Sequence, residues 1–116
     1  MKIIPSKFHG MLDYAVAITL IVAPLVLGFV GVAKLLAIAG GVGLLTYSLI
    51  TDYSLSARKM IPFKVHLIFD FVAALVLVAA PFIFGFDGIT KIFYLVIGIS
   101  VIAVVLITNS DTSESA

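Results

Sequence analysis

Four side chains that can carry chemistry occur as two matched pairs. His9 precedes Asp13 by four residues, and His66 precedes Asp70 by the same spacing. Residues four apart share one face of a helix, so each imidazole can meet the carboxylate about one turn, or roughly 6 Å, further along the axis. Since histidine changes its charge near neutral pH, four converging groups of this kind can bind an ion, relay a proton or hold a cationic ligand.

The two pairs belong to an internal repeat. A shift of 57 residues superimposes one pair on the other, and about a third of all aligned positions are identical. The identical positions include the rare polar and turn-forming types, such as Pro24 with Pro81, Gly28 with Gly85, and Thr51 with Thr108. The sequence therefore predicts a duplicated unit, repeat 1 at 1–57 and repeat 2 at 58–116.

Composition limits the class of protein that holds these pairs. Of 116 residues, 63% are hydrophobic and only 11% are charged, whereas soluble domains are nearer half apolar and one quarter charged. A small soluble domain has too much surface to cover for such a composition. The formal net charge of +1 gives no basic face for nucleic acid, and the chain has no cysteine for a disulfide or a thiolate site. An integral membrane protein is the class that remains.

Four apolar runs reach or approach the length of a membrane span. Short turns join the first run to the second and the third to the fourth, and a longer polar connection lies between the two pairs. We therefore predict an all-α polytopic membrane protein, a single membrane domain over 1–116 with four transmembrane helices arranged as two tandem hairpins in a parallel repeat. The expected helices are about 11–30, 32–50, 65–86 and 89–107.

Basic residues predict the orientation. Five of the seven lie near the N-terminus or in the middle connection, and two lie in the hairpin turns. The positive-inside rule then places both termini and the middle connection in the cytoplasm. The five are Lys2, Lys7, Arg58, Lys59 and Lys64, and the two are Lys34 and Lys91.

Three interpretations of the intramembrane His–Asp pairs stay open. Carboxylates below the interface face a bundle interior or a wet cavity, and they have partners. The available partners are the two histidines, either in the same helix or across the pseudo-two-fold axis that relates the repeats. The pairs can fix helix packing, form a proton, ion or solute path, or bind a ligand or metal ion; we prefer packing. The chain carries no recognised cofactor or metal motif and no catalytic motif, so we expect no cofactor, no metal and no enzyme activity.

Prolines and small residues add structural expectations. Pro24 and Pro81 each free a carbonyl four residues back, which predicts a helix kink. The second helix carries a stripe of small residues that permits close helix approach. The small-residue stripe consists of Ala37, Ala39, Gly40, Gly41 and Gly43. Two interpretations fit the polar residues at the end of the same helix: they extend the polar cluster toward His9, or they are ordinary residues of the membrane interface. These residues are Tyr47, Ser48, Thr51 and Asp52.

The shared segments Ala23–Phe29 and Ala80–Phe86 carry a resemblance. Each follows a helix that contains an Asp-aromatic pair, and each reads Ala-Pro, three residues, Gly-Phe. This pattern resembles the SPW repeat family of small prokaryotic membrane proteins, with Ala in place of the family's Ser and Leu25 or Phe82 in place of its Trp. The resemblance implies a four-helix protein of a prokaryotic cytoplasmic (inner) membrane and assigns no activity or site residue.

Two functions follow as expectations. The first is a non-enzymatic component of the lipid bilayer that assembles with itself or with a larger membrane complex, its His–Asp pairs organising the cytoplasmic side of the bundle. The alternative is a small transporter or channel, proton-coupled or otherwise, that uses His9, Asp13, His66 and Asp70.

Overall fold

Four long helices account for most of the chain. The computed structural model describes residues 2–53 and 55–110. All four helices are long and apolar enough to cross a membrane, and the described residues form no strand beyond two isolated bridges. The expected all-α, four-helix membrane architecture is confirmed. The helices are α1 (Ser6–Val26), α2 (Gly31–Leu49), α3 (Phe63–Phe84) and α4 (Gly88–Ile107).

The first helix is shifted toward the N-terminus relative to its expected bounds. It begins at Ser6 rather than near 11 and ends at Val26 rather than near 30. Hydropathy falls at His9 and Gly10, yet helical hydrogen bonding continues through both residues. The extended Pro5, with ψ of 158°, directly precedes the first turn, and Pro62 takes the same place before α3. The expected bounds were wrong here because an apolar run marks the apolar part of a helix and not the residue at which the helix begins.

Glycine ends α1 and α3 in the same way. Gly28 and Gly85 have φ of 73° and 72°, a left-handed conformation that side-chain-bearing residues disfavour. In the first copy, the N–H of Phe29 donates to the carbonyl of Pro24 at 2.9 Å, which is the long-range bond of a Schellman helix end. The Ala-Pro-x-x-x-Gly-Phe motif is therefore a helix terminator used twice.

Within each hairpin the two helices pack closely through a glycine. A Cβ at Gly41 of α2 would lie 2.7 Å from the carbonyl oxygen of Ala17 in α1. At the matching positions in repeat 2, a Cβ at Gly98 would lie 3.1 Å from the carbonyl oxygen of Ala74. The buried part of the small-residue stripe in α2 thus serves its own hairpin.

The two hairpins interlock through backbone at one end of the bundle. We call this end, where the described termini and the α2–α3 connection lie, the terminal face, and the opposite end the hairpin face. Ile4 forms a parallel bridge with Thr108, and Ile61 forms one with Thr51. These bridges differ by the 57-residue shift, so the start of each repeat pairs with the end of the other.

Candidate functional site

All four residues of the His–Asp pairs meet at a single point just inside the terminal face. His9 Nε2 lies 2.7 Å from Asp70 Oδ2 and 3.1 Å from Asp13 Oδ2. His66 Nε2 lies 2.5 Å from Asp13 Oδ2 and 3.4 Å from Asp70 Oδ2. We call these four residues the His–Asp cluster.

The shortest contacts of the cluster join different repeats. Each histidine lies closer to the aspartate of the other hairpin than to the aspartate four residues along its own helix. Both imidazoles are fully buried and both aspartates are 2% exposed. Since buried ionisable groups need partners, and these groups partner each other across the hairpins, the cluster links the two halves of the bundle.

Two threonines fix the orientation of the imidazoles. The Thr51 hydroxyl donates to the Tyr47 carbonyl at 2.6 Å, so its oxygen accepts from His66 Nδ1 at 2.7 Å. In the other copy, Thr108 lies 2.9 Å from Nδ1 of His9 and donates to a carbonyl four residues back. A hydroxyl has one hydrogen, so Nδ1 carries the hydrogen in both rings and Nε2 faces the carboxylates.

Tyr47 contributes to the cluster asymmetrically. Its hydroxyl donates to Asp70 Oδ1, and its ring packs edge-on against His66 at 4.9 Å between centroids. The matching residue in repeat 2 is Val104, which has no hydroxyl. Tyr47 and Thr51 therefore join the His–Asp cluster as expected, through Asp70 and His66. Asp52 is exposed.

Aromatic rings close the cluster toward the terminal face. Phe63 stacks on His66 at 5.8 Å, and Tyr53 stacks on Phe63 at 5.7 Å between centroids. Tyr53 also fills the space over Gly10, where a Cβ would collide with its ring. Burial raises the pKa of the Tyr53 phenol above its ordinary value, so this ring is neutral at physiological pH.

The charge arrangement defines what the cluster can bind. With hydrogen on each Nδ1, two neutral imidazoles would present two lone pairs to two carboxylate oxygens, all within 4.8 Å of one another. Four acceptors at this distance repel, and two carboxylates leave a net charge of −2 in an apolar bundle. Two positive charges balance the cluster, supplied by two protons or by one divalent cation.

Pro24 and Pro81 lie away from the cluster. Both are buried and sit near the hairpin-face ends of α1 and α3. Pro24 is eleven residues beyond Asp13, or roughly 16 Å along a helix. The helices continue through both prolines into their last turn, and a kink there stays a prediction.

Thr51 and Thr108 were not identified from the sequence as partners of the histidines, although Thr51 was expected to extend the polar cluster. Their signal was present, because they are an identical pair under the 57-residue shift. They stand more than ten residues from their histidine partners, at the ends of α2 and α4. Only the interlocked arrangement of the hairpins brings them to the imidazoles.

Comparison with known proteins identifies the family to which the chain is similar. A family profile described as the SPW repeat domain matches residues 7–108, which include the cluster and both threonines. No match was found among curated proteins or among solved structures. The match spans most of the chain and agrees with the four-helix architecture and the duplicated helix-ending motif. This chain belongs to the SPW repeat family.

Proposed function

We propose that this protein is a non-enzymatic, self-assembling membrane component whose His–Asp cluster acts as a clasp between the two hairpins. One observation carries the proposal: the contacts from His9 to Asp70 and from His66 to Asp13, at 2.7 and 2.5 Å, cross between repeats. The hydrophobic effect does not drive the association of apolar helices in lipid, so packing and polar contacts hold a membrane bundle together. The fully buried cluster supplies such contacts where the hairpins meet.

A double variant tests the clasp. Asp13→Asn with Asp70→Asn removes both carboxylates and leaves the imidazoles without their charge partners. Each buried polar group left unsatisfied costs about 1–3 kcal/mol, so the free energy of unfolding in detergent should fall by several kcal/mol. The matched control is Asp52→Asn with Asp87→Asn, since both of these aspartates are exposed. Equal stability of the two double variants would contradict the clasp.

The terminal face is proposed to lie in the cytoplasm. Five basic residues flank this face in the chain and two flank the hairpin face, which is the asymmetry that the positive-inside rule uses. With this orientation the cluster lies near the cytoplasmic end of the membrane. A reporter fused to the C-terminus that is active only in the cytoplasm tests the orientation, and periplasmic activity would reverse it.

Assembly with further copies or with a larger complex is proposed to use the outward face of α2. Ala39 is exposed, and a Cβ at Gly43, one turn later, would meet open space. Two small residues at this spacing let a second helix approach closely. Gly43→Leu should lower the oligomer mass measured in mild detergent, whereas Val42→Leu, at a half-exposed neighbour, should not. A wild-type monomer would remove this part of the proposal.

One observation favours transport as a second function. A cavity of about 140 Å³ lies between the hairpins and reaches Asp70 and Tyr47, although the rest of its lining is apolar. A transporter would lose flux on Asp70→Asn while keeping its fold. The clasp instead predicts no proton flux from the wild type in proteoliposomes that contain a pH-sensitive dye.

A further inference from the structure

We propose that the His–Asp cluster is a closed four-coordinate site for one divalent transition-metal ion of the Zn²⁺ type. The ligands are Nε2 of His9 and His66 and one carboxylate oxygen each of Asp13 and Asp70. This proposal rests on the proposed function, because it names the ion that would join the two hairpins through the His–Asp cluster. It also departs from the expectation of no metal, which considered sequence motifs alone.

The spacing of the ligand atoms suits a tetrahedral ion. Zn²⁺ binds histidine nitrogen and carboxylate oxygen at about 2.0–2.1 Å, so tetrahedral neighbours lie about 3.3 Å apart. The four Nε2–Oδ2 separations are 2.5, 2.7, 3.1 and 3.4 Å. The two shortest contacts need to open by less than about 1 Å for the ion to enter. All four ligand atoms lie within 4.8 Å of one another, so this is a small change.

The orientation of the imidazoles is that of metal ligands. A histidine that binds a metal through one nitrogen usually donates the hydrogen on the other nitrogen to a fixed acceptor. Thr108 accepts from Nδ1 of His9 and Thr51 accepts from Nδ1 of His66, at 2.9 and 2.7 Å. Both Nε2 lone pairs are therefore directed at the centre. The Tyr47 hydroxyl on the outer oxygen of Asp70 supports a carboxylate ligand in the same way.

Charge and donor type select the class of ion. A divalent cation with two carboxylates and two neutral imidazoles has no net charge, as an apolar bundle interior requires. Two nitrogen and two oxygen donors suit Zn²⁺ and Co²⁺, whereas Mg²⁺ and Ca²⁺ require six or more oxygen ligands. Four protein ligands fill a tetrahedral shell and leave no open position for a substrate, so the site is structural rather than catalytic. All four ligand residues are at least 98% buried.

Metal titration of the full chain tests the site. The wild-type protein is purified in detergent, stripped with a chelator and titrated with Co²⁺, whose visible absorption is intense in four-coordinate sites. We expect saturation at one Co²⁺ per chain, displacement of Co²⁺ by Zn²⁺, and no displacement by Mg²⁺. Absence of saturable binding by the wild type would overturn the inference.

Variants assign the binding to the cluster. Asp13→Asn with Asp70→Asn should abolish the Co²⁺ spectrum, and the exposed pair Asp52→Asn with Asp87→Asn should retain it. Should the first variant not fold, Thr51→Val decides: loss of an outer partner lowers metal affinity by about 10–100-fold. Its control is Thr46→Val, which removes an exposed hydroxyl bonded only to its own helix and should leave affinity unchanged. Equal affinities of these two threonine variants would contradict the assignment.

The metal site and the clasp fail separately. A metal-free wild type that binds no Co²⁺, yet is more stable than the cluster variant, leaves the clasp and removes the metal site. If Co²⁺ binds at the cluster, but the metal-free wild type and the metal-free cluster variant are equally stable, the metal site stands and the clasp is removed.

Discussion

If the cluster holds the hairpins together, His9 should couple more strongly to Asp70 of the other hairpin than to Asp13 in its own helix. His9–Asp13 is a contact within one helix, so it persists when the hairpins separate and contributes little to their association. His9–Asp70 exists only when the hairpins are assembled. Its 2.7 Å contact is also shorter than the 3.1 Å contact to Asp13. The pair across the hairpins should therefore carry the larger coupling energy.

Double-mutant cycles measure this difference. Interhelical polar contacts in membranes average about 0.6 kcal/mol and reach about 1.7, and a buried, short contact belongs near the upper value. We expect about 1.5 kcal/mol between His9→Gln and Asp70→Asn, and about 0.2–0.5 kcal/mol between His9→Gln and Asp13→Asn, as for a pair within a helix.

The assay is unfolding by increasing SDS in mixed micelles. Loss of near-ultraviolet circular dichroism from the four tyrosines follows the transition, since the chain has no tryptophan. A coupling energy for His9–Asp13 that equals or exceeds that for His9–Asp70 would refute the claim that the cluster holds the hairpins together.

Three further substitutions test the packing around the cluster by the same unfolding assay. Tyr47→Phe removes the hydroxyl bonded to Asp70 and should cost about 1–2 kcal/mol; an unchanged midpoint would show that the hydroxyl contributes nothing. Gly41→Ala places a Cβ 2.7 Å from a backbone oxygen and should cost about 1–3 kcal/mol, whereas the Cβ of Gly40→Ala would lie 4.0 Å from its nearest atom and should cost nothing; similar losses would argue against close packing of α1 on α2. Gly85→Ala, at φ of 72°, should cost about 1–2 kcal/mol, and a neutral effect would contradict the left-handed helix end.

The sequence was sufficient to predict the four-helix architecture, because span length, hydropathy and the 57-residue repeat can all be read directly along the chain. It was insufficient for the start of α1, since hydrogen bonding continues past the point where hydropathy falls at His9. The spacing of His9 and Asp13 identified the cluster residues, but spacing alone favours the partner within the helix.

The partners across the hairpins depend on how two hairpins meet, which no single-helix pattern contains. Thr51 and Thr108 illustrate this limit. Each lies at the end of one hairpin and bonds to the histidine of the other, as the backbone bridges at the terminal face require. Their repetition at the same register marked them as a pair, and only the packing of the two hairpins shows that each bonds to a histidine.

Convergence of the two repeats on one buried cluster can be measured directly, because His9 and His66 are the only histidines in the chain. Protein labelled with ¹³C and ¹⁵N in histidine alone, reconstituted in bilayers, gives two imidazole spin systems in solid-state NMR. Their ring centroids lie 5.5 Å apart, so we expect a cross-peak between the rings that persists when labelled protein is diluted into unlabelled protein. Two separate imidazoles with no cross-peak, or a cross-peak lost on dilution, would contradict this convergence.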